Sequence, residues 1–150
     1  MTNARTAALF FSFLVLLSCR EEVKDFASIE GKWRGTLIEV KVKPFGLPIP
    51  FSDDDDSFST LIEFKADGAM IVHEDQPATG TYQVIDDKLV IDIDLSIEGR
   101  DLAGSYTLET LNASELVFYR KQKNEKLADP DGGPTLKGDV KITLHFRKIN

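Results

Sequence analysis

Residues 31–42 read Gly-Lys-Trp-Arg-Gly-Thr-Leu-Ile-Glu-Val-Lys-Val, and apolar and polar side chains alternate along most of this run. Such alternation is typical of a strand with one buried face. The parity of the apolar positions changes within the run, from Trp33 and Leu37 to Ile38, Val40 and Val42. Because neighbouring strand residues point to opposite faces, this change predicts a β-bulge or a sharp bend in a long first strand over 32–42.

The same alternation recurs downstream and predicts seven further strands, over 58–65, 69–75, 80–85, 88–95, 104–110, 115–121 and 139–147. Turn-forming residues stand at hairpin positions between them, at Ala66-Asp67-Gly68, Asp86-Asp87 and Asn112-Ala113-Ser114. A sustained helical period is absent from the sequence. The sequence therefore predicts an all-β protein, an antiparallel up-and-down meander of about eight strands.

One face of these strands is apolar and the other is polar. The predicted inward positions are Phe58, Ile62, Phe64, Ile71, Tyr82, Val84, Leu89, Ile91, Ile93, Leu95, Tyr106, Leu108, Leu116, Phe118, Val140, Ile142, Leu144 and Phe146. The predicted outward positions are Glu63, Lys65, Asp92, Asp94, Thr107, Lys141, Thr143 and Arg147. An open meander would leave two exposed sheet edges, and closure into a barrel removes both. We therefore expect a closed β-barrel.

The chain has 150 residues, of which 42% are hydrophobic and 29% charged, as in a single globular domain. Its formal charge is −7, and Arg5 is the only charged residue before position 19, so the part from residue 19 onward carries −7 − 1 = −8. This balance argues against nucleic acid as a partner, since that binding depends on Lys and Arg. It also predicts repulsion from anionic lipid head groups, so any membrane attachment is expected to be covalent.

The N-terminus has the three parts of a signal peptide: Arg5, an apolar run over 7–17, and Leu16-Leu17-Ser18-Cys19. The apolar run is too short to span a bilayer. Cys19 is the only cysteine, so a disulfide framework is excluded. The ending resembles a bacterial lipobox, which implies diacylglycerol on the Cys19 sulfur and a cut before it. We predict a signal peptide over 1–18, a lipidated tether over 19–28 and a barrel domain over 29–150.

The tether begins Arg20-Glu21-Glu22, which resembles the acidic export signal of Bacteroidetes-type surface lipoproteins. The expected location is the outer membrane, on its periplasmic side or at the cell surface. The membrane contact would be the lipid on Cys19.

Four segments of the barrel domain resemble bacterial lipocalin-like-domain lipoproteins of the Bacteroidetes type and, more distantly, lipocalins. They are the Gly31-Lys32-Trp33 opening, Phe64-Lys65-Ala66-Asp67-Gly68, Gly80-Thr81-Tyr82 and the closing Leu144-His145-Phe146-Arg147-Lys148. The resemblance covers about 29–149 and implies a lipocalin-like barrel. It also implies that Trp33 closes one end under a basic side chain of the last strand, with Arg147 as first candidate and Lys148 as second. Alternatively, Trp33 is simply a large core residue.

Catalytic and metal-binding motifs are missing from the sequence. His73 and His145 lack the spacing of paired metal ligands. The run Asp53-Asp54-Asp55-Asp56 lacks the pattern of a calcium loop and is interpreted as a solvated loop. Asp92 and Asp94 share the polar face and are interpreted as solvated carboxylates. We therefore predict a protein that is not an enzyme and needs no metal and no cofactor.

The segment between the first two predicted strands is unusually apolar and stiff, with Phe45, Leu47, Ile49 and Phe51 separated by Pro or Gly. Three interpretations remain open: a lid that contacts a ligand at the barrel mouth, a contact for a partner, or a plug for one end.

Two functional hypotheses follow. In the first, the barrel binds a small apolar or amphipathic ligand without catalysis. In the second, its own side chains fill the barrel, and the protein is a structural or interaction lipoprotein that acts as an accessory subunit of an envelope complex. The size of the barrel interior distinguishes them.

Overall fold

The computed structural model describes residues 27–45, 51–97, 100–127 and 136–149. Within these ranges all regular structure is β, which confirms the predicted fold class. The strands are β1 (Gly31–Pro44), β2 (Phe51–Asp55), β3 (Leu61–Phe64), β4 (Ala69–His73), β5 (Ala78–Ile85), β6 (Lys88–Asp92), β7 (Ser96–Ile97), β8 (Arg100–Asp101), β9 (Gly104–Leu111), β10 (Glu115–Leu127) and β11 (Leu136–Ile149). The predicted signal peptide, Cys19 and most of the tether lie outside the described residues.

The strands form a closed antiparallel barrel. The sheet order is β11-β10-β9-β6-β5-β4-β3-β1-β2, and β11 also pairs with β1, which closes the ring. β2 and β3 pair with the same edge of β1, β2 beside residues 38–42 and β3 beside residues 31–34. They therefore act as two pieces of one wall strand in an eight-stranded up-and-down barrel, as predicted. β7 and β8 form a separate two-stranded hairpin.

The predicted bulge in the first strand is confirmed at Thr36. Gly35 pairs with Phe146 and Leu37 with His145, so β1 holds one residue more than β11 at this point. Trp33 is buried before the bulge, and Ile38, Val40 and Val42 are buried after it. Because of the extra residue, the core-facing positions of β1 are odd-numbered before the bulge and even-numbered after it. The apolar side chains therefore face the core on both sides of the bulge.

The two barrel ends differ. Short turns at 65–68, 86–87 and 112–114 lie at the end that holds Trp33, which we call the closed end. The longer connections, β1–β2, β4–β5, β6–β9 and β10–β11, lie at the opposite end, which we call the loop end. The pairing of β1 with β11 that closes the ring, and the core residues that it encloses, lie within residues 29–149.

Several element boundaries differ from the predictions. β10 and β11 extend past 115–121 and 139–147 into a long hairpin, while residues 58–60, 74–75 and 93–95 are not strand. In β4, Met70 and Val72 are buried and Ile71 is only half-buried, so the predicted inward position of Ile71 is wrong. Because all three residues are apolar, the sequence alone does not show which of them face the core. Val84 lies on the inward face opposite Leu89, and Thr143 lies on the outward face with Lys141, as predicted, although Val84 is 39% exposed and Thr143 is buried.

Candidate functional site

The barrel interior is crossed by a continuous row of aromatic rings. Tyr106 packs edge-on to Phe118 with ring centroids 5.0 Å apart, and Phe118 stacks on Phe146 at 5.4 Å. Phe146 in turn meets Phe58 edge-on at 5.4 Å. These separations are those of direct aromatic contact, so no ligand fits between the rings.

The rest of the interior is equally full. A side chain that lines a water-sized cavity keeps some accessible surface, yet many inward side chains here keep none: Trp33, Ile62, Met70, Val72, Leu89, Leu116 and Phe118. A small void of about 20 Å³ lies beside Ile38, Leu102 and Tyr106. That is roughly the space of one water molecule. In the described part of the chain, the barrel is filled by its own side chains.

The loop end is covered by the β6–β9 connection, which we call the plug. Its Ile93 and Leu102 are buried, and the Leu102 N–H donates to the Leu95 carbonyl at 2.9 Å. The Tyr106 hydroxyl donates to the Leu102 carbonyl at 2.8 Å, and burial raises the pKa of Tyr106. Arg120 reaches the Ala103 carbonyl at 3.3 Å. The sequence prediction missed this plug because it assigned residues 93–95 to a strand.

At the closed end, Trp33 is completely buried and its indole Nε1 donates to the Ile29 carbonyl at 2.7 Å. Lys148 Nζ lies 5.1 Å from the indole ring and donates to the Glu30 carbonyl at 2.9 Å. The basic side chain over the indole is therefore Lys148, the second candidate. Arg147 is exposed on the opposite face of β11, where it stands directly across from Arg34 in the β1–β11 register.

The apolar segment after β1 is only partly described. Phe45 is 51% exposed, and its N–H donates to the Lys137 carbonyl at 2.8 Å. Leu47 and Ile49 lie outside the described residues, and the backbone of Phe51 begins the edge strand β2. The β6–β9 connection thus closes the loop end. Whether residues 44–51 form a lid, contact a partner or also fill one end of the barrel stays a prediction.

The acidic run is an edge strand rather than the loop that we expected. Asp53 stands opposite Val40 and Asp54 opposite Glu39, so their carboxylates point to opposite faces. Asp55 accepts hydrogen bonds from the Ser57 hydroxyl at 2.6 Å and its N–H at 2.9 Å, which lower its pKa. Among the described residues, no three His, Cys, Asp or Glu side chains could hold a metal ion.

The other titratable candidates lie on the outer wall. His73 Nε2 is 3.0 Å from Glu63 Oε2, and His145 Nε2 is 3.5 Å from Glu39 Oε1. Lys41 donates to Glu39 at 2.9 Å and lowers the pKa of that carboxyl. Asp92 and Asp94 are exposed, as expected of solvated carboxylates. These contacts are pairs between neighbouring wall residues.

No helix within the described ranges is long and apolar enough to cross a bilayer. No protein-family model, curated protein or solved structure matches the chain. Function must therefore be inferred from the geometry itself.

Proposed function

We propose that the protein is a lipid-anchored envelope protein whose filled barrel contacts other envelope components through its outer surface. The filled interior carries this proposal. Ligand pockets usually have volumes of about 300–1,000 Å³. The interior void of about 20 Å³ beside Tyr106 is far smaller, and the depression of about 710 Å³ along residues 57–60, 73–76 and 95–97 is an open, mostly polar surface between loops. The packed interior therefore favours the accessory-subunit hypothesis over the ligand-carrier hypothesis.

The plug gives an energetic reason against a ligand inside the barrel. A ligand inside the barrel would have to displace Ile93 and Leu102 as well as the inward side chains. Exposing a buried aliphatic side chain costs about 1.5–3 kcal/mol. The hydrogen bond from the Tyr106 hydroxyl to the Leu102 carbonyl and the one from the Leu102 N–H to the Leu95 carbonyl would also break.

The anchor part of the proposal rests on the lipobox-like segment at Cys19 and on the resemblance to lipocalin-like lipoproteins. The chain reaches the barrel through Ile29, at the closed end. The loop end then lies at the far end of the barrel from the tether. The proposed location is the outer membrane, on its periplasmic side or at the cell surface.

The outer surface offers an apolar contact. Of the described residues, the exposed large hydrophobic ones are Phe45, Val84, Ile85 and Val90, and three of these four lie on the β5–β6 hairpin. Ile85 and Val90 both point outward, since Gln83 pairs with Val90. Exposed apolar side chains that lie together are typical of protein contact sites.

Probe binding tests the filled interior. The chain from residue 20 to residue 150 would be titrated with a fluorescent fatty acid and, by fluorine NMR, with fluorobenzene. We expect neither to saturate. In the control Leu116→Ala the lost side chain leaves an apolar cavity, which should bind fluorobenzene and shows that the assay detects internal binding. Saturable fatty-acid binding by the unmodified barrel would refute the proposal.

Cross-linking in cells tests the contact. A photoreactive residue at Ile85 of the full chain should give a discrete adduct with another envelope protein, and the same residue at the exposed Asp67 should not. Equal adducts at both positions, or none at either, would contradict a contact at the β5–β6 hairpin.

A further inference from the structure

Three lysines stand side by side on the outer face of adjacent strands. Lys41 of β1 is directly opposite Lys141 of β11, and Lys141 is directly opposite Lys121 of β10. Like charges in directly opposed positions destabilise a sheet. Glu39 and Glu109 offset part of this repulsion. The centroid of the Tyr119 ring lies 4.1 Å from Lys141 Nζ and 5.6 Å from Lys121 Nζ, so contacts within the fold account for only part of the row.

More lysines continue the row toward the loop end. Lys43 pairs with Asp139, and Lys123 lies in the β10 bulge beside the same aspartate. Lys126 then stands directly opposite Lys137. We call these four lysines, together with the three of the row, the basic face.

The basic face is positive although the protein is negative. Its seven lysines lie beside five carboxylates: Asp139, Glu39 at 2.9 Å from Lys41, Glu109 at 3.3 Å from Lys141, Asp54 directly opposite Glu39 on β2, and Glu125 between Lys123 and Lys126 on β10. The local formal charge is 7 − 5 = +2, which leaves −7 − 2 = −9 for the rest of the chain. At physiological salt, charges more than about 8 Å from a partner are largely screened. A partner at this face therefore experiences the positive charge.

An exposed aromatic ring borders the lysines. The Phe45 N–H donates to the Lys137 carbonyl, so Phe45 extends β1 alongside the Lys126 and Lys137 pair. Its side chain is 51% exposed. Lysines beside exposed apolar side chains are typical of segments that bind the bilayer interface.

The residue types favour a diffuse anionic surface over a single bound anion. At the loop-end half of this wall the outward basic residues are all lysines, and Arg34 and Arg147 lie nearer the closed end. Arginine supplies the planar, bidentate recognition that fixes one phosphate or carboxylate, whereas lysine acts as a point charge. A shallow depression of about 230 Å³ over residues 41–43, 121–123 and 139–141 gives the lysines room to adapt.

We propose that the basic face and Phe45 dock onto an anionic lipid bilayer. This contact is separate from the lipid on Cys19 and goes beyond the proposed function, which needs only the anchor and a protein partner. Along β1, Gly31 and Lys43 are about 40 Å apart, at roughly 3.3 Å per residue. On an anchored chain, the contact lays the barrel on its β1–β11–β10 wall.

Sedimentation with vesicles tests the docking. The chain from residue 20 to residue 150, which lacks the anchor, should bind an equal mixture of phosphatidylcholine and phosphatidylglycerol but not phosphatidylcholine alone. The triple variant Lys123→Gln, Lys126→Gln, Lys137→Gln should partition roughly 100-fold more weakly, at about fivefold for each lysine. The control Lys65→Gln, Lys88→Gln, Arg100→Gln removes the same number of positive charges from exposed positions outside the β1–β11–β10 wall and should bind as the unmodified chain does.

Phe45→Ser and soluble polyphosphate distinguish a bilayer from a soluble polyanion. Phe45→Ser should weaken vesicle binding and leave any polyphosphate binding unchanged. The proposal is wrong if vesicles are not bound, if both triple variants lose binding equally, or if Phe45→Ser binds vesicles normally. All altered side chains are exposed, and thermal melting verifies that each variant is folded. Failure here would leave the cross-linking and probe results of the proposed function unaffected.

Discussion

Gly31 and Trp33 have separate physical roles in the Gly-x-Trp opening of β1. Gly31 has a φ of +122°, which side-chain-bearing residues rarely adopt, and a Cβ there would lie 2.9 Å from Lys148 Cε. The chain can therefore turn over the indole while Lys148 approaches closely. Trp33 fills the closed end and donates its indole N–H to Ile29.

Replacing Lys148 should destabilise the barrel more than replacing Arg147. Lys148→Met removes the cation over Trp33 and the bond to the Glu30 carbonyl, which together are worth about 1–2 kcal/mol. The exposed Arg147→Met should change the free energy of unfolding by less than about 0.5 kcal/mol. Urea denaturation of both variants makes the comparison. A larger effect at Arg147 would mean that the resemblance's first candidate is the correct one.

The sequence contained the information to choose between these two residues. Val140, Ile142, Leu144 and Phe146 define the inward parity of β11, and Lys148 continues it while Arg147 does not. The resemblance favoured Arg147, but the alternation alone indicates Lys148. Burial of Trp33 was predictable from either source.

Strand elements were predictable where polar residues mark the outward face. The bulge at Thr36 and the turns at 65–68, 86–87 and 112–114 follow from alternation and turn chemistry. β4 was misassigned because Met70, Ile71 and Val72 are all apolar. β2 was missed because an aspartate run is unusual in a strand, and it is tolerated here at a sheet edge, where both faces and one edge reach solvent.

The plug should loosen at alkaline pH. Burial raises the pKa of Tyr106 above its ordinary value of 10.0, because the folded state disfavours the phenolate. The stabilisation is therefore complete below pH 10 and is lost as the pH rises through the folded-state pKa. We expect the free energy of unfolding to fall above pH 10.

Tyr106→Phe tests this directly. The variant loses the bond to the Leu102 carbonyl and should be about 1 kcal/mol less stable at neutral pH, with a shallower decline above pH 10. Tyr119→Phe, on the outer wall, is the matched control because it leaves the plug bond intact. Denaturation curves at neutral and alkaline pH give the free energy of unfolding and its decline above pH 10. An unchanged alkaline decline in Tyr106→Phe would show that another group causes it.

For the whole molecule, net charge is a poor guide to surface chemistry. The value of −7 predicts repulsion from anionic lipids, yet antiparallel pairing gathers seven lysines from three distant segments on one face. Their spacing along the sequence gives no sign of this, since it depends on two separate strand registers, and the bulge at Thr36 sets the one that aligns Lys41 with Lys141. The filled interior was likewise not predictable, because an apolar inward face suits an open or a packed barrel equally.

The anchor prediction concerns how the whole molecule is held at the membrane. Cys19→Ala should leave uncleaved precursor that takes up no labelled fatty acid, because the lipobox chemistry needs the cysteine sulfur. Arg20→Ala, one residue later, should still be cleaved and labelled. Since barrel closure uses residues 29–149, both variants should contain the same folded domain, and thermal melting of the domain verifies this. Normal cleavage and labelling of Cys19→Ala would show that Cys19 carries no lipid, and the anchored half of the proposed function would then be wrong.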